Sequence, residues 1–217
     1  MSKKIFSENC NLKSYTTIKV GGVAEFFAEP KSIDEFSYLI KWASLNKQRC
    51  QIIGAGSNLL INNIFIKGLV VCTKKMKSLT IEPYSGIVEA EAGVMLPTLS
   101  NSLAKNGLQG GEWAVGIPGT LGGAIYMNAG TGNLSLAKNL ISVKVINHKT
   151  HETFEIEKKD INFEYRFSSF QRNDLKIISA RLHFEPNGNL EQLIQATKNN
   201  LKLKTEKQPY HQPSFGS

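Results

Sequence analysis

Cysteine is scarce in this sequence: Cys10, Cys50 and Cys72 are the three among 217 residues. They are too few and too far apart for a disulfide framework. None stands in a paired Cys-x-x-Cys, which excludes the usual zinc and dithiol motifs and leaves them as small apolar core residues; no metal site is expected. The N-terminal MSKKIFSENC carries two lysines but no apolar stretch after them, and no run elsewhere approaches membrane-spanning length. The expectation is a cytoplasmic protein without a membrane partner. Acidic residues are in the minority, 18 against 26 Lys and Arg, for a net charge of +8. Such a charge favours anionic partners. The basic residues are scattered, with no aromatic-interleaved basic stretch and no nucleic-acid motif, so a small dianionic ligand fits at least as well and a nucleic-acid partner ranks last.

What is present is ordinary globular material, 41% hydrophobic and 20% charged, without repeats or low-complexity tracts. Val23 to Ala28 reads as a strand. Ser32-Ile-Asp-Glu35 is a capping box that opens a helix with apolar Phe36, Leu39, Ile40 and Ala43 on one face. Cys50 to Ile53 is a short strand running into Gly54-Ala-Gly-Ser-Asn58, followed by β-rich Leu59 to Phe65 and Leu69 to Cys72. Ile87 to Ala92 alternates as a half-buried strand, and Leu96 to Asn106 is a helix with Gly107 at C′. Leu140 to Asn147, Thr153 to Ile156 and Lys176 to Phe184 read as strands, and Asn189 to Lys204 as a helix. Helices and strands mix without regular alternation, which favours an α+β fold.

Two glycine-rich segments carry the chemistry. The first, Ile53-Gly-Ala-Gly-Ser-Asn-Leu59, nearly matches the dinucleotide fingerprint but has Leu59 where the third glycine belongs. No helix opens at it, and Lys74 and Lys75 stand where a ribose-binding acid is needed, so a Rossmann fold is rejected. No Gly-Lys-Ser/Thr closes it as a P-loop. Its free backbone N–H groups, with Ser57 and Asn58, still suit a pyrophosphate, and a plain turn between strands competes on even terms. The second, Gly116-Ile-Pro-Gly-Thr-Leu-Gly-Gly-Ala-Ile-Tyr-Met-Asn-Ala-Gly130, packs five of the chain's 18 glycines between apolar residues. Pro118 fixes φ there and Asn128 supplies an amide. Together the segments favour a bound nucleotide cofactor over coincidence.

These two segments, with Thr16-Thr-Ile-Lys-Val-Gly-Gly22, Tyr165-Arg166 and Pro213-Ser-Phe-Gly-Ser217, occur in the order known from the UDP-N-acetylenolpyruvoylglucosamine reductase (MurB) family, which the chain resembles over essentially its whole length. The resemblance implies a two-lobed FAD-binding module of the vanillyl-alcohol-oxidase (PCMH) type. It divides the chain into a first FAD-binding subdomain (residues 1–73), a second (74–206) and the start of a substrate domain (207–217). It also implies that Gly54, Ala55, Gly56, Ser57, Asn58 and Leu59 cradle the FAD pyrophosphate. Gly116, Ile117, Pro118, Gly119, Thr120, Gly122 and Gly123, with Asn128 and Gly130, would lie against the isoalloxazine and its linker. Neither loop contains His148, His151, His183 or His211, so non-covalent FAD is expected and the histidines are taken as surface residues. The implied reaction uses NADPH as co-substrate and reduces UDP-GlcNAc-enolpyruvate to UDP-N-acetylmuramate for peptidoglycan. Tyr165 and Arg166 match substrate-binding positions, and Arg166 and Ser217 match the groups that steady and protonate the developing negative charge.

In the family a third domain and a late glutamate follow the serine matched by Ser217, so the 217 residues alone are expected not to turn over. An α-carboxylate at Ser217 would also oppose the developing charge. Another non-covalent FAD oxidoreductase of the same fold, or a catalytically dead FAD-binding module, are the competing expectations.

Overall fold

The computed structural model describes residues 5–62, 64–208 and 212–214. Its first sheet combines β1 (Ser7–Asn11), β2 (Val23–Ala28), β3 (Cys50–Ile53) and β4 (Phe65–Cys72) in the order β1-β2-β4-β3. β1 is antiparallel to β2, whereas β4 runs parallel to both β2 and β3. Central β4 is buried on both faces, as its Leu-Val-Val-Cys run foretells. Leu69 and Val71 join one apolar cluster while Val70 and Cys72 join another on the opposite face.

Helix α1 (Ile33–Leu45) connects β2 to β3. Ser32 caps it, its hydroxyl accepting from Glu35 N–H at 3.2 Å, and the Glu35 carboxylate accepts from Lys31 N–H at 2.7 Å. Phe36, Leu39, Ile40 and Ala43 are fully buried by their 3.6-residue spacing. Truncating Phe36 to Ala would cost about 3–5 kcal/mol at such a site.

The second sheet is antiparallel throughout, in the order β10-β9-β13-β6-β5. Its strands are β5 (Leu79–Glu82), β6 (Ile87–Glu91), β9 (Leu140–Asn147), β10 (Thr153–Glu157) and β13 (Leu175–His183). Helices α2 (Leu96–Lys105) and α3 (Leu121–Tyr126) contribute Leu96, Leu99, Leu103, Leu121 and Ile125 to the cluster that holds Val88, Val143, Val145 and Leu182. Ile146 and Ile178 instead enter the cluster of α1, Leu69 and Met76, so one core ties the sheets together. A bulge between Ile177 and Ser179 interrupts the register of β13 against β9. The hairpin β7–β8 (Gly130–Thr131, Leu134–Ser135) precedes the short α4 (Leu136–Asn139), the hairpin β11–β12 (Phe163–Glu164, Phe167–Ser168) lies between β10 and β13, and α5 (Leu190–Lys207) closes the described fold on α2. Gly107, at φ +70°, ends α2.

Two expectations need correction. Residues 59–62 form no strand: Ile64 N–H turns back to Asn62 O and Ile64 O accepts from Val23 N–H, so pairing starts only at Phe65. His148 and His151 are half-buried in the β9–β10 turn, with His148 Nδ1 and His151 Nε2 enclosed, whereas His183 is exposed. Burial, reinforced by the Lys176 charge, pushes the His148 imidazole below its ordinary value. His211 lies outside the described residues.

Candidate active site

The loop after β3 and the turn into α3 meet. Ser57, 7% exposed, donates its hydroxyl to Pro118 O at 2.8 Å, and a Cβ on Gly54 would collide with the Thr120 hydroxyl. Thr120 caps α3, its hydroxyl accepting from Gly123 N–H at 3.5 Å. The turn is anchored from behind: Leu96 N–H donates to Gly119 O, Leu121 N–H to Val94 O and Gly122 N–H to Ala92 O, at 2.8–3.0 Å. Two segments about sixty residues apart in sequence thereby become adjoining walls of one cavity.

That cavity measures about 1060 Å³, the upper end of the range for small-molecule and cofactor sites. Gly54 to Leu59 line it, as do Ile117, Pro118, Gly119, Thr120, Gly122, Gly123 and Gly130. Gly116 and Asn128 do not line it. Gly116 is buried where a Cβ would press on the Lys204 stem at 2.6 Å. Asn128, at φ +42°, donates its amide to Glu164 O at 2.9 Å, while its Oδ1 is enclosed without a partner among the described residues.

The hairpin β11–β12 is clamped to the end of α3. Ser168 Oγ and Gln171 Nε2 both donate to Tyr126 O, at 2.8 and 2.9 Å, and Gln171 also reaches Arg166 O at 3.2 Å. Tyr165 and Arg166 form its tip. Arg166 has φ +55°, a left-handed conformation that costs a non-glycine residue about 1–2 kcal/mol. Its guanidinium lies 5.3 Å from the Tyr165 ring centroid and donates from both terminal nitrogens to Gly130 O at 3.3 Å. Arg166 lines the cavity; Tyr165, 89% exposed, does not. Ser217 lies outside the described residues.

The charge of the lining is one-sided: Arg49, Lys67, Arg166 and Lys176 belong to it and, among the described residues, no Asp or Glu does. Most other lining side chains are apolar. The backbone N–H groups of Ala55, Gly56, Ser57, Asn58, Gly119 and Thr120 have no protein acceptor among the described residues. Spare N–H groups and cations suit a diphosphate, and apolar walls suit flat rings. No described histidine lines the cavity, and among the described residues no cluster of His, Cys, Asp and Glu could hold a metal. Cys50 does line it, but burial pushes its thiol up to about 11, so it is not a thiolate at neutral pH.

A family model described as a FAD binding domain matches residues 24–155. A UDP-N-acetylenolpyruvoylglucosamine reductase of Prochlorococcus marinus subsp. pastoris is 69% identical over 217 residues, which are 100% of this chain and 73% of the relative. The chain belongs to the UDP-N-acetylenolpyruvoylglucosamine reductase family. Among solved structures, the MurB of Thermus caldophilus superposes with a TM-score of 0.77 at 26% identity, over 94% of this chain and 71% of that one. A Phl p 4 variant, a glucose dehydrogenase, matches at a TM-score of 0.62 and 12% identity over 86% of this chain and 42% of that one, a likeness of fold alone. The fold is thus the α+β, two-lobed FAD-binding module of the vanillyl-alcohol-oxidase type, and the reductase cavity has the donor set that FAD requires.

Sequence reasoning missed part of this site. Arg49, Lys67, Lys176 and Gln171 carry no motif, and Tyr126 lies within the second glycine segment without having been singled out; Lys67 on β4 and Lys176 on β13 reach the cavity from bordering strands, Arg49 from just before β3, Tyr126 from the end of α3 and Gln171 from the turn after β12. The polar pair Gln171 and Ser168, close behind Tyr165-Arg166, was the available signal for a clamped hairpin.

Proposed function

We propose that this chain, as a member of the reductase family, takes part in the NADPH-dependent reduction of UDP-GlcNAc-enolpyruvate to UDP-N-acetylmuramate, a cytoplasmic step of peptidoglycan synthesis. In this reading residues 1–73 and 74–206 are the two FAD-binding lobes and residues 207–217 lead toward the substrate domain. Bound FAD supplies hydride transfer from NADPH to the enolpyruvyl carbon. The chain's own residues do the rest.

Ala55 to Asn58 offer their N–H groups to the pyrophosphate, and Ser57, by its bond to Pro118 O, keeps that loop against the second wall. Gly119, Thr120 and Gly123 line the cavity from the other side and admit a flat ring. Arg166, permanently cationic, grips the substrate carboxylate and stabilises the charge that builds there, exchanging its long bonds to Gly130 O for shorter ionic ones. Tyr165 covers the substrate at the rim. Ser217, matched to the family's proton donor, delivers the proton to the carbon that becomes carbanionic.

The observation that carries this reading is one cavity walled by both glycine segments and lined by cations and, among the described residues, by no acid, with Arg166 in its lining. An anaerobic spectral experiment tests it. The purified chain is loaded with FAD, reduced with NADPH, and then given UDP-GlcNAc-enolpyruvate or, separately, UDP-GlcNAc. A yellow protein that NADPH bleaches supports the reading, and the reduced flavin of these 217 residues alone is expected to persist with either compound. Failure to take up FAD overturns it.

A further inference from the structure

The segment Thr16–Gly22 has no part in the chemistry just proposed, yet it lies against the first glycine loop. Much of it serves its own turn. Thr16 Oγ1 donates to Val20 O at 2.6 Å, Lys19 N–H to Thr16 O at 3.2 Å, and Leu12 N–H to Gly22 O at 2.9 Å. Thr17 differs, because its partners are far away in sequence. Its backbone N–H donates to Gly56 O at 3.2 Å, and its hydroxyl donates to Ser214 O at 2.6 Å. The hydroxyl also stands 3.4 Å from Gly56 O. One hydroxyl hydrogen cannot serve both carbonyls, and the shorter contact takes it. The link to Gly56 is close-packed as well, since a Cβ there would collide with Tyr15 O.

We propose that Thr17 is a positioning residue that couples cofactor binding to placement of the proton donor. Its N–H holds the loop that cradles the pyrophosphate, and its hydroxyl holds the chain at Ser214, three residues before Ser217. This rests on the function proposed above, which assigns the loop to FAD and Ser217 to protonation. FAD settling on the loop stiffens Gly56, Thr17 follows through its N–H, and the Ser214 carbonyl is held in turn. A neutral hydrogen bond of this kind corresponds to about a fivefold change in the opening equilibrium of the segment.

Hydrogen exchange over residues 208–217, measured with and without FAD, tests the coupling in the wild-type chain and in Thr17→Val and Thr17→Ser. FAD is expected to slow exchange of that segment about fivefold in the wild type and in Thr17→Ser, which keeps the hydroxyl. It is expected to have no such effect in Thr17→Val, which still binds FAD because the bond to Gly56 is made by the backbone. Equal FAD-dependent protection in Thr17→Val, or no protection in a wild-type chain shown by its spectrum to hold FAD, overturns the proposal. So does a folded Thr17→Val chain that takes up no FAD, since the hydroxyl would then act on the loop alone. A wild-type chain that takes up no FAD overturns the cofactor reading, and the coupling with it.

Discussion

Both glycine segments use the residue where packing is tight, at Gly54 and Gly56 in the first and at Gly116, Gly122 and Gly130 in the second, but the second also uses it to leave space. In the first, glycine answers crowding: Gly56 sits at φ +66° with the Tyr15 carbonyl where a side chain would be, and Gly54 abuts the Thr120 hydroxyl. In the second, Gly123 is exposed and lines the cavity, and a Cβ there would meet nothing closer than the Thr120 hydroxyl at 3.6 Å. The crowded glycine is demanded by the fold. The open one leaves space that the fold does not fill, which is the mark of a place kept for a ligand.

This contrast can be broken most forcefully at Gly56. Gly56→Ala imposes a left-handed residue and a backbone collision, a loss of at least about 2 kcal/mol, or roughly 4–8 °C in Tm for a chain of this size. FAD affinity should fall with it; calorimetry showing an unchanged Tm would remove the crowding argument. Arg166 comes next. Arg166→Gly relieves its φ of +55° and should hold or raise stability by up to about 1 kcal/mol, while affinity for UDP-GlcNAc-enolpyruvate, read as a shift in the flavin spectrum, falls about tenfold. A spectral titration showing the same affinity as wild type would take Arg166 out of the substrate site.

Gly123→Ala should do the reverse of Gly56→Ala. It lies inside α3, where alanine is the better helix former by up to about 1 kcal/mol, so Tm should stay level or rise while FAD binding weakens about tenfold. A matched loss of Tm and affinity would erase the distinction between the crowded glycine and the open one. The smallest effect is alkaline. Burial pushes Cys50, on the strand that feeds the first loop, from 9.0 up to about 11. Tyr15 is pushed from 10.0 up to about 12, first by burial and then by the Glu29 carboxylate. Both folded values lie above the ordinary ones, so the folded chain holds protons that the unfolded chain releases. This stabilisation is whole below pH 9 and is lost as pH rises through 11 and 12. Tm should fall across that window, and less steeply in Cys50→Ala; a flat profile would contradict the burial of these groups.

Much of this was legible in the sequence because it is local. The 3.6-residue spacing of Phe36, Leu39, Ile40 and Ala43, the Ser32 cap and the glycine after α2 each act within a few residues, and the helices follow them. Residues 59–62 misled because β-forming side chains were present without a ladder partner, a fact set by Val23 and Ile64. Nothing local announces that Arg166 stands at a two-residue hairpin tip held by Asn128, Ser168 and Gln171. The bonds from Ser57 to Pro118 and from Thr17 to Ser214 span long stretches of chain, and no periodicity encodes them.

The central claim is that both glycine segments hold one dinucleotide, the first by its diphosphate and the second by its ring. It is tested most directly by titrating the apo-chain with FAD and with riboflavin and following flavin fluorescence. The account predicts saturation by one equivalent of FAD and binding of riboflavin weaker by at least a hundredfold, because only FAD presents a diphosphate to Ala55 through Asn58. Equal affinity for the two flavins would contradict it.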